Sequence, residues 1–293
     1  MKIVQITDTH LTYRDGIIRE NFDHIVELVN DHLRPDLVVH TGDIVILDPD
    51  SAADRERAHE LMSRFTAPVR VVPGNHDVGE PGENPGMGIG VTDERVAAYE
   101  KVWGPGHWRL DLEGWTLLGL NSELLGSGLE RESVQWQWLE ETVAAVADER
   151  PVLVFLHKPI WSAVDVPTAH ALDVGDAPRA RLLDLLGRVT LKGVGSGHLH
   201  RYRRTDRDGV VEVWGPSTAF VAGPAGVHLP AALEQLGVVE YDCDAEGVRV
   251  AFRALPGLVD VTLAQVPEFA DARAEIDARA GVPARVRTQR ESA

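Results

Sequence analysis

The sequence has 293 residues, of which 44% are hydrophobic and 26% are charged, and its formal net charge is −17. These are ordinary values for a globular protein, and no apolar run approaches the roughly 18 residues that a membrane span requires. The acidic balance argues against a nucleic-acid polymer or an anionic membrane as the main partner, because both attract basic surfaces.

The cysteine content and the first residues limit the compartment and the kind of metal site. Cys243 is the only cysteine, which excludes an internal disulfide and a zinc site built from several thiolates. A metal ion would therefore need His, Asp, Glu or Asn ligands. Met1 leads directly into a strand-like pattern, without the basic segment and apolar core of a signal peptide. We expect a cytoplasmic protein.

The first quarter of the chain alternates predicted strands with predicted helices. Buried strands are predicted at 2–7, 37–39 and 69–72, and helices at 18–33 and 51–65. This alternation is typical of an α/β fold with helices on the faces of a sheet. Polar residues follow each strand, on the edge where open α/β sheets place their ligands.

The rest of the chain has a less regular pattern. A Gly- and Pro-rich loop at 79–90 is suited to the rim of a site, together with the segment 161–176. The pattern from 202 to 255 predicts strands joined by turns in a second, largely antiparallel sheet. Between these segments we predict helices at 92–103, 133–147 and 180–186, strands at 152–156 and 189–194, and a hairpin formed by 108–112 and 115–120.

One large domain is predicted to span residues 1–260. Residues 261–293 lose strong periodicity and are rich in Ala, Arg and Glu. They are interpreted either as an arm that binds a partner subunit in a homodimer or as a tail without fixed structure.

Seven side chains with oxygen or nitrogen donors follow predicted strands. Residues 8 and 10 are two apart, as are 198 and 200, a spacing that directs both side chains to one side of extended backbone. Seven donors on one sheet edge are too many for one tetrahedral zinc and suit two metal ions that share a carboxylate. The alternative is a set of unrelated turn and capping residues. The donors are Asp8, His10, Asp43, Asn75, His157, His198 and His200.

The order of these residues resembles the motif pattern of the calcineurin-like metallophosphoesterases over about residues 3–220. The resemblance implies an α/β fold, a four-layer αββα sandwich of two mixed sheets, with a dinuclear metal site at the carboxyl edge of the strands. The sequence is most similar to the bacterial cyclic-nucleotide and glycerophosphodiester phosphodiesterase branch, in the stretches 74–77 and 197–200. The family blocks D-x-H, G-D, G-N-H-D/E, H and G-H-x-H are present as Asp8/His10, Asp43, Asn75-His76-Asp77, His157 and His198/His200.

The resemblance also implies how the donors are shared between two metal ions. Mixed nitrogen and oxygen ligands suit Mn, Fe or Zn. A hydroxide bridging the two ions would attack phosphorus, and the ions would stabilise charge on the phosphoryl oxygens. By the resemblance, Asp8, His10 and His200 hold the first ion, Asn75, His157 and His198 hold the second, and Asp43 bridges them.

Two residues beside the predicted ligands are expected to have catalytic roles. His76 directly follows the predicted ligand Asn75, so its side chain should lie near the substrate without binding a metal ion. We predict that His76 protonates the leaving oxygen or stabilises the transition state, and that Asp77 orients it. A purely structural histidine is the alternative.

The expected activity is hydrolysis of a small phosphodiester, of the cyclic-nucleotide or glycerophosphodiester type. A phosphomonoesterase or a nucleotide pyrophosphatase is the alternative within the enzymes, and a catalytically inactive binding or scaffold protein is the alternative of another class. Asp43 is followed by Ile44-Val45-Ile46 and not by the Asp-Arg-Gly continuation of the Ser/Thr protein phosphatases. This departure argues against protein phosphatase activity.

Three further polar residues are weaker candidates. Asn121 follows a predicted strand, where it could contact phosphate or cap the strand end. His40 is interpreted as a neighbour of the ligands or as a core residue. Lys158 is interpreted as a surface lysine, with contact to a substrate phosphate as the alternative.

Overall fold

The computed structural model of the chain describes residues 1–82, 88–146, 149–161, 172–222 and 231–280. Two mixed sheets pack face to face, and helices cover the outer face of each sheet. This arrangement confirms the predicted α/β sandwich with helix, sheet, sheet and helix layers. Part of each predicted rim segment lies outside the described residues, namely 83–87 and 162–171.

The first sheet has five strands in the order β11-β10-β1-β2-β3. Parallel pairing joins β1, β2 and β3, and β10 runs antiparallel to both β1 and β11. Its strands are β1 (Lys2–Ile6), β2 (Leu37–His40), β3 (Val69–Val71), β10 (Gly237–Cys243) and β11 (Val248–Ala254).

The second sheet has six strands in the order β4-β5-β6-β7-β9-β8. Its four central strands are parallel, and the edge strands β4 and β8 each form an antiparallel hairpin with a neighbour. The strands are β4 (Trp108–Leu112), β5 (Trp115–Gly119), β6 (Pro151–Phe155), β7 (Thr190–Ser196), β8 (Arg203–Arg207) and β9 (Val210–Trp214).

The helices lie mostly between successive strands, as the alternating pattern predicts. No helix in the described residues is long and apolar enough to span a bilayer. The α-helices are α1 (Ile17–Leu28), which continues as a π-helical turn at Val29–Leu33, α2 (Ala52–Met62), α3 (Asn75–Val78), α4 (Asp93–Trp103), α5 (Glu130–Ala144), α6 (Asp176–Leu186) and α7 (Pro267–Arg279).

The strand sequences explain the layering. Successive side chains of β1 point to opposite faces of the first sheet, because side chains alternate along a strand. Val4 and Ile6 pack under the helices, whereas Ile3 packs into the layer between the sheets with Phe155 and Val213 of the second sheet. Both faces of β1 are therefore buried, which explains why three of its five residues are apolar and why even Gln5 is buried.

The strands between 202 and 255 do not form a sheet of their own, so that part of the prediction is wrong. The hairpin of β8 and β9 extends the second sheet, because β9 pairs in parallel with β7. The next hairpin, of β10 and β11, joins the first sheet through β1. Turn residues identify a hairpin locally, but they carry no information about which sheet edge the hairpin joins.

The C-terminal segment packs on the domain as far as it is described. Val266 and Ala272 are buried in the core beneath the first sheet. At the surface of α7, Arg279 pairs with Asp48. The predicted domain boundary at residue 260 thus precedes a helix that shares the core of residues 1–260, and residues 281–293 lie outside the described part of the chain.

We expect a chain that ends at residue 260 to have a lower free energy of unfolding, by about 3 kcal/mol or more. The truncation exposes the core that Val266, Phe269 and Ala272 cover, and burying one large apolar side chain contributes roughly 1.5 to 3 kcal/mol. Urea unfolding followed by circular dichroism measures the change. A chain that ends at residue 280 is the matched control, and because it keeps α7 its midpoint should be higher than that of the chain that ends at residue 260. Equal midpoints for both truncations would identify 261–280 as a dispensable tail.

Candidate metal centre

The seven predicted donors meet at one end of the sandwich, and they come from both sheets. Asp8 and His10 follow β1, Asp43 follows β2 and Asn75 follows β3, so the first sheet supplies four donors. The second sheet supplies His157 after β6, and His198 and His200 after β7. The expectation of a single sheet edge is therefore wrong, because the two sheets end side by side and both contribute.

The donors form two clusters that have Asp43 in common. One ligand atom from each of Asp8, His10, Asp43 and His200 can be chosen so that all four lie within 4.8 Å of one another. The same holds for Asp43, His157 and His198. Asn75 extends the second cluster, since its Oδ1 lies 2.9 Å from His157 Nε2.

Asp43 has the geometry of a shared ligand. Its Oδ2 lies 3.3 Å from His157 Nε2 and 4.0 Å from His10 Nε2, which belong to different clusters. Its Oδ1 accepts a 2.9 Å hydrogen bond from the backbone N–H of His76. This bond orients the carboxylate so that Oδ2 faces both clusters.

Five of the seven donors have left-handed backbone, which L-residues adopt at a cost of roughly 1 to 2 kcal/mol each. The D-x-H and H-x-H pairs are therefore not extended, and the argument that extended backbone directs both side chains to one side is wrong. Backbone hydrogen bonds hold the strained turns, for example from the N–H of residue 10 to the carbonyl of residue 43 at 3.0 Å. The φ values are 51° at Asp8, 45° at His10, 55° at Asp43, 70° at His198 and 52° at His200.

Backbone carbonyls fix the tautomer of three ligand histidines. The Nδ1 atoms of His10, His157 and His200 lie 2.8 to 3.1 Å from the carbonyl oxygens of residues 46, 41 and 220. A carbonyl only accepts, so each Nδ1 must carry the proton. Each Nε2 then faces the centre and is the atom that binds a metal ion once any proton on it is displaced, which is how metal-binding histidines are usually oriented.

The spacing of these lone pairs fits bound cations. Nε2 of His10 lies 3.0 Å from Nε2 of His200, and Nε2 of His157 lies 3.1 Å from Nδ1 of His198. Two lone pairs repel at such distances unless a metal ion or a shared proton lies between them. Adjacent ligands on one ion with bonds of about 2.1 Å are about 3.0 to 3.5 Å apart, so the donor set fits two metal ions.

The buried carboxylates among the donors are held in their negatively charged form, which favours the binding of cations. Burial alone would favour neutral Asp43, but the imidazoles of His157 and His76 outweigh it and hold the pKa of Asp43 well below its usual range. Burial likewise opposes a charge on His157, yet Asp43 and Asp8 raise the pKa of His157 to about 10. A metal ion that binds His157 must therefore displace a proton.

Two glycines of the motifs are required by close approach. Gly42 has φ of +94°, and a Cβ at this position would lie 2.7 Å from His157 Nδ1. A Cβ at Gly74 would lie 2.3 Å from Asp43 Oδ1. The turns after β2 and β3 can thus approach the ligands only because neither residue has a side chain.

Asp77 does not orient His76, and this predicted role is wrong. The Asp77 carboxylate accepts hydrogen bonds from the backbone N–H groups of Ile44, Val45 and Gly74, at 2.8 to 3.2 Å. Burial and the charge of Asp43 raise the pKa of Asp77 to about 7 against these bonds. Asp77 instead joins the turn after Asp43 to the turn before Asn75.

His76 is positioned by the backbone and remains near the centre. Its Nδ1 lies 2.6 Å from the carbonyl oxygen of Ile46, so this nitrogen carries a proton. Its Nε2 lies 3.7 Å from Asp43 Oδ2, and the side chain is 12% exposed. The ring therefore presents Nε2 to the space above the two clusters.

Lys158 is buried, so its interpretation as a surface residue is wrong. Its Nζ lies 3.2 Å from Glu123 Oε2 and 3.9 Å from Glu80 Oε1, and all three side chains are almost fully enclosed. These carboxylates compensate for burial of the ammonium group.

The other two weak candidates have structural partners. Asn121 is buried at the N-cap of a 3-10 turn, where its Oδ1 accepts a 2.9 Å bond from the N–H of Glu123, in agreement with the cap interpretation. His40 is buried, and its Nδ1 accepts a 3.1 Å bond from the N–H of Gly42. Burial lowers the pKa of His40 to about 3, so the ring is neutral.

A cavity of about 230 Å³ opens beside the clusters. A larger cavity of about 540 Å³, between α2, α4, β3 and β4, contains none of the seven donors. Sequence reasoning missed the apolar residues beside the metal site, because nothing in the pattern of 219–222 or 263–269 indicates proximity to it. The smaller cavity is lined by His10, His76, His198, His200, Phe220, Ala222, Leu263 and Phe269.

Comparison with known proteins gives matches over most of the chain. Residues 1–202 match the family described as Calcineurin-like phosphoesterase. A probable glycerophosphodiester phosphodiesterase, GpdQ, of Arcobacter nitrofigilis is 28% identical over 70% of this chain and 74% of its own length. The 3',5'-cyclic adenosine monophosphate phosphodiesterase CpdA of Pseudomonas aeruginosa is 26% identical over 76% of this chain and 78% of its own.

Other relatives and solved structures match this chain over a smaller share of their own length. The serine/threonine-protein phosphatase CPPED1 of Bos taurus is 26% identical over 59% of this chain, which spans 57% of the bovine protein. Among solved structures, the purple acid phosphatase PPD1 of yellow lupin superposes with a TM-score of 0.64 at 15% identity. It covers 89% of this chain, which spans 52% of the lupin protein. This structural likeness supports the fold alone.

Proposed function

The chain belongs to the calcineurin-like phosphoesterase family, and we propose that it is a metal-dependent phosphodiesterase that hydrolyses small diesters. The observation that carries this proposal is the position of Asp43 Oδ2 between two complete donor clusters. The relatives named as phosphodiesterases support the choice of diesters, and both match most of this chain.

The residues of the two clusters would hold two metal ions. Asp8, His10 and His200 would hold one, Asn75, His157 and His198 would hold the other, and Asp43 would bridge them. Mn, Fe and Zn all suit this mixture of imidazole and oxygen ligands. When bound, two such ions lower the pKa of a water molecule and neutralise charge on the phosphoryl oxygens.

His76 would donate a proton to the leaving oxygen. Its Nδ1 carries a hydrogen that is directed at the carbonyl of Ile46, so a proton taken up at Nε2, which lies 3.7 Å from Asp43 Oδ2, would be the one available to the substrate. That Nε2 proton faces the cavity and would pass to the leaving oxygen when the P–O bond breaks.

Other phosphoesterase activities are compatible with the same donor set. A phosphomonoesterase could use the same donors, and a nucleotide pyrophosphatase could do so as well. The bovine relative is named as a protein phosphatase, so the expectation against that activity stays a prediction. An inactive scaffold is disfavoured because the seven donors are all present and converge.

We expect the purified chain to hydrolyse bis(p-nitrophenyl) phosphate when Mn²⁺ is added, and to lose at least about 99% of this activity after treatment with a chelator, because both ions are required. The rate with p-nitrophenyl phosphate should be lower, and a phosphopeptide should not react. Readdition of Mn²⁺, Fe²⁺ or Zn²⁺ should restore turnover and rank the metals. Metal-independent turnover, or turnover of monoesters alone, would contradict the proposal.

Three expectations about the whole protein stay predictions. They are a cytoplasmic location, a small phosphate ester as substrate in place of a nucleic-acid polymer or a membrane, and homodimer formation. Size-exclusion chromatography with light scattering tests the last of these directly.

A further inference from the structure

The apolar side of the cavity is built by residues that lie outside the matched family region. The region that matches the family ends at residue 202. Phe220, Leu263 and Phe269 follow it, and with Ala222 they form one side of the cavity beside the histidines. We call these four residues the apolar wall.

The apolar wall is in contact with the candidate metal centre. The ring of Phe220 lies 4.7 Å from the rings of both His10 and His200, measured between centroids. The ring of Phe269 lies 6.2 Å from that of His76 and 6.3 Å from that of Phe220. The wall therefore borders both the first donor cluster and the residue proposed to protonate the leaving oxygen.

The wall is held in place by the packing of α7. Val266 and Ala272, which flank Phe269 along the chain, are buried in the core beneath the first sheet. Arg279 at the end of α7 pairs with Asp48, in the loop after β2 that also carries Asp43. Leu263 keeps 36% of its surface exposed and so offers apolar surface to a ligand.

The side chains that form the apolar wall disfavour a charged group on the part of the substrate that lies against them. No lysine or arginine is among the described residues that line the cavity. A charged group placed against the apolar wall would lose hydration, and the four wall residues offer it no polar or charged side chain in return, which is costly. A flat apolar group would instead gain contact with Phe220 and Phe269.

We propose that the apolar wall binds the leaving arm of the diester, and that this arm carries an uncharged flat group, either an aryl ring or a nucleobase. The inference rests on the proposed function and narrows its substrate class. It gives α7 a role in specificity and disfavours both nucleotide pyrophosphates and glycerol-type arms. We assign the wall to the leaving arm because the wall lies next to His76, the residue proposed to protonate the leaving oxygen.

The test compares kcat/KM of the Mn²⁺-loaded wild type with that of Phe269→Ala on three diesters. Bis(p-nitrophenyl) phosphate carries an aryl arm, 3',5'-cyclic AMP carries a nucleobase, and glycerophosphoethanolamine carries neither. We expect a loss of about tenfold on one or both of the first two, the size of a good aromatic contact, and less than about threefold on the third. The more affected of the first two substrates identifies which flat group the wall accepts.

Binding and control variants separate a specificity role from a folding role. Calorimetry should show that phenyl phosphate or AMP binds about tenfold more weakly to Phe269→Ala, while glycerol 3-phosphate binds equally to both proteins. Phe269→Leu, which keeps apolar volume at this position, should retain more of the preference. Phe252→Ala removes a phenylalanine of β11 whose ring contacts that of Tyr202, and it should leave the preference unchanged.

The outcomes distinguish the two proposals. A wild type that turns over none of the three diesters contradicts the proposed function. An active wild type whose Phe269→Ala variant loses the same factor on all three substrates, or loses nothing, overturns the apolar wall as a specificity element and leaves the proposed function standing.

Discussion

Asp43→Asn should abolish the dinuclear site, with a fall in kcat/KM on the order of 10³-fold or more. Asp43 Oδ2 is the atom that faces both donor clusters, and its negative charge would compensate part of the charge of two bound cations. An amide keeps the shape but removes the charge, and its NH₂ group cannot bind a metal ion. We expect metal analysis of the dialysed variant to give fewer than about two ions per chain, where the wild type gives two.

The control for this variant is Asp54→Asn. Asp54 is as buried as Asp43, and its carboxylate accepts a 2.8 Å hydrogen bond from the backbone N–H of Tyr13, which an amide oxygen can also accept. This variant should keep its metal content and its activity. Circular dichroism should show both variants folded. Two ions per chain in folded Asp43→Asn would exclude Asp43 as the bridge.

The layers and the donors could be predicted because their sequence signals are local. Each strand of the first sheet's parallel half is short and mostly apolar, and a polar donor follows it within four residues, which needs no tertiary information to be found. Parallel strands must expose their carboxyl ends at one edge, so the convergence of Asp8, Asp43 and Asn75 follows from topology. The contribution of the second sheet required knowledge of how the two sheets pack.

The roles that were mispredicted depend on the path of the backbone in three dimensions. Asp77 neighbours His76 in sequence, but the turn of α3 directs its carboxylate to the N–H groups of residues 44 and 45. The left-handed backbone at Asp8 and His10 is likewise imposed by tertiary hydrogen bonds. Such residues show no local preference in a sequence, since the surrounding structure maintains the strain.

The position of the apolar wall could not be predicted from the sequence either. Phe269 belongs to a segment without a strong periodic signal, and its proximity to His76 depends on the docking of α7 through Val266 and Ala272. A contact between residues nearly 200 positions apart cannot be read from spacing. The part of the site that binds the organic arm was therefore less predictable than the part that binds metal ions.

His76→Ala should keep both metal ions and lose turnover in a way that depends on the leaving group. His76 lies beside the clusters without belonging to either, since Ile46 binds its Nδ1 and Nε2 faces the cavity. Loss of a general acid typically lowers a rate by about 10² to 10⁴-fold. We expect a loss of this size with an alkyl alcohol as leaving group, which needs a proton to depart. With p-nitrophenolate, which departs as an anion, the loss should be below about tenfold.

The dependence on the leaving group separates proton donation from a general effect on the site. His107→Ala is the matched control, because it removes a half-buried histidine that contacts Trp138 of α5 and belongs neither to the donor clusters nor to the described lining of the cavity beside them. That variant should react like the wild type with both substrates. An equal loss for alkyl and nitrophenyl diesters would assign His76 to stabilising charge on the phosphoryl oxygens instead. Near-full turnover with both metal ions present would leave His76 a structural role only, since its ring would then serve to fill space beside His10.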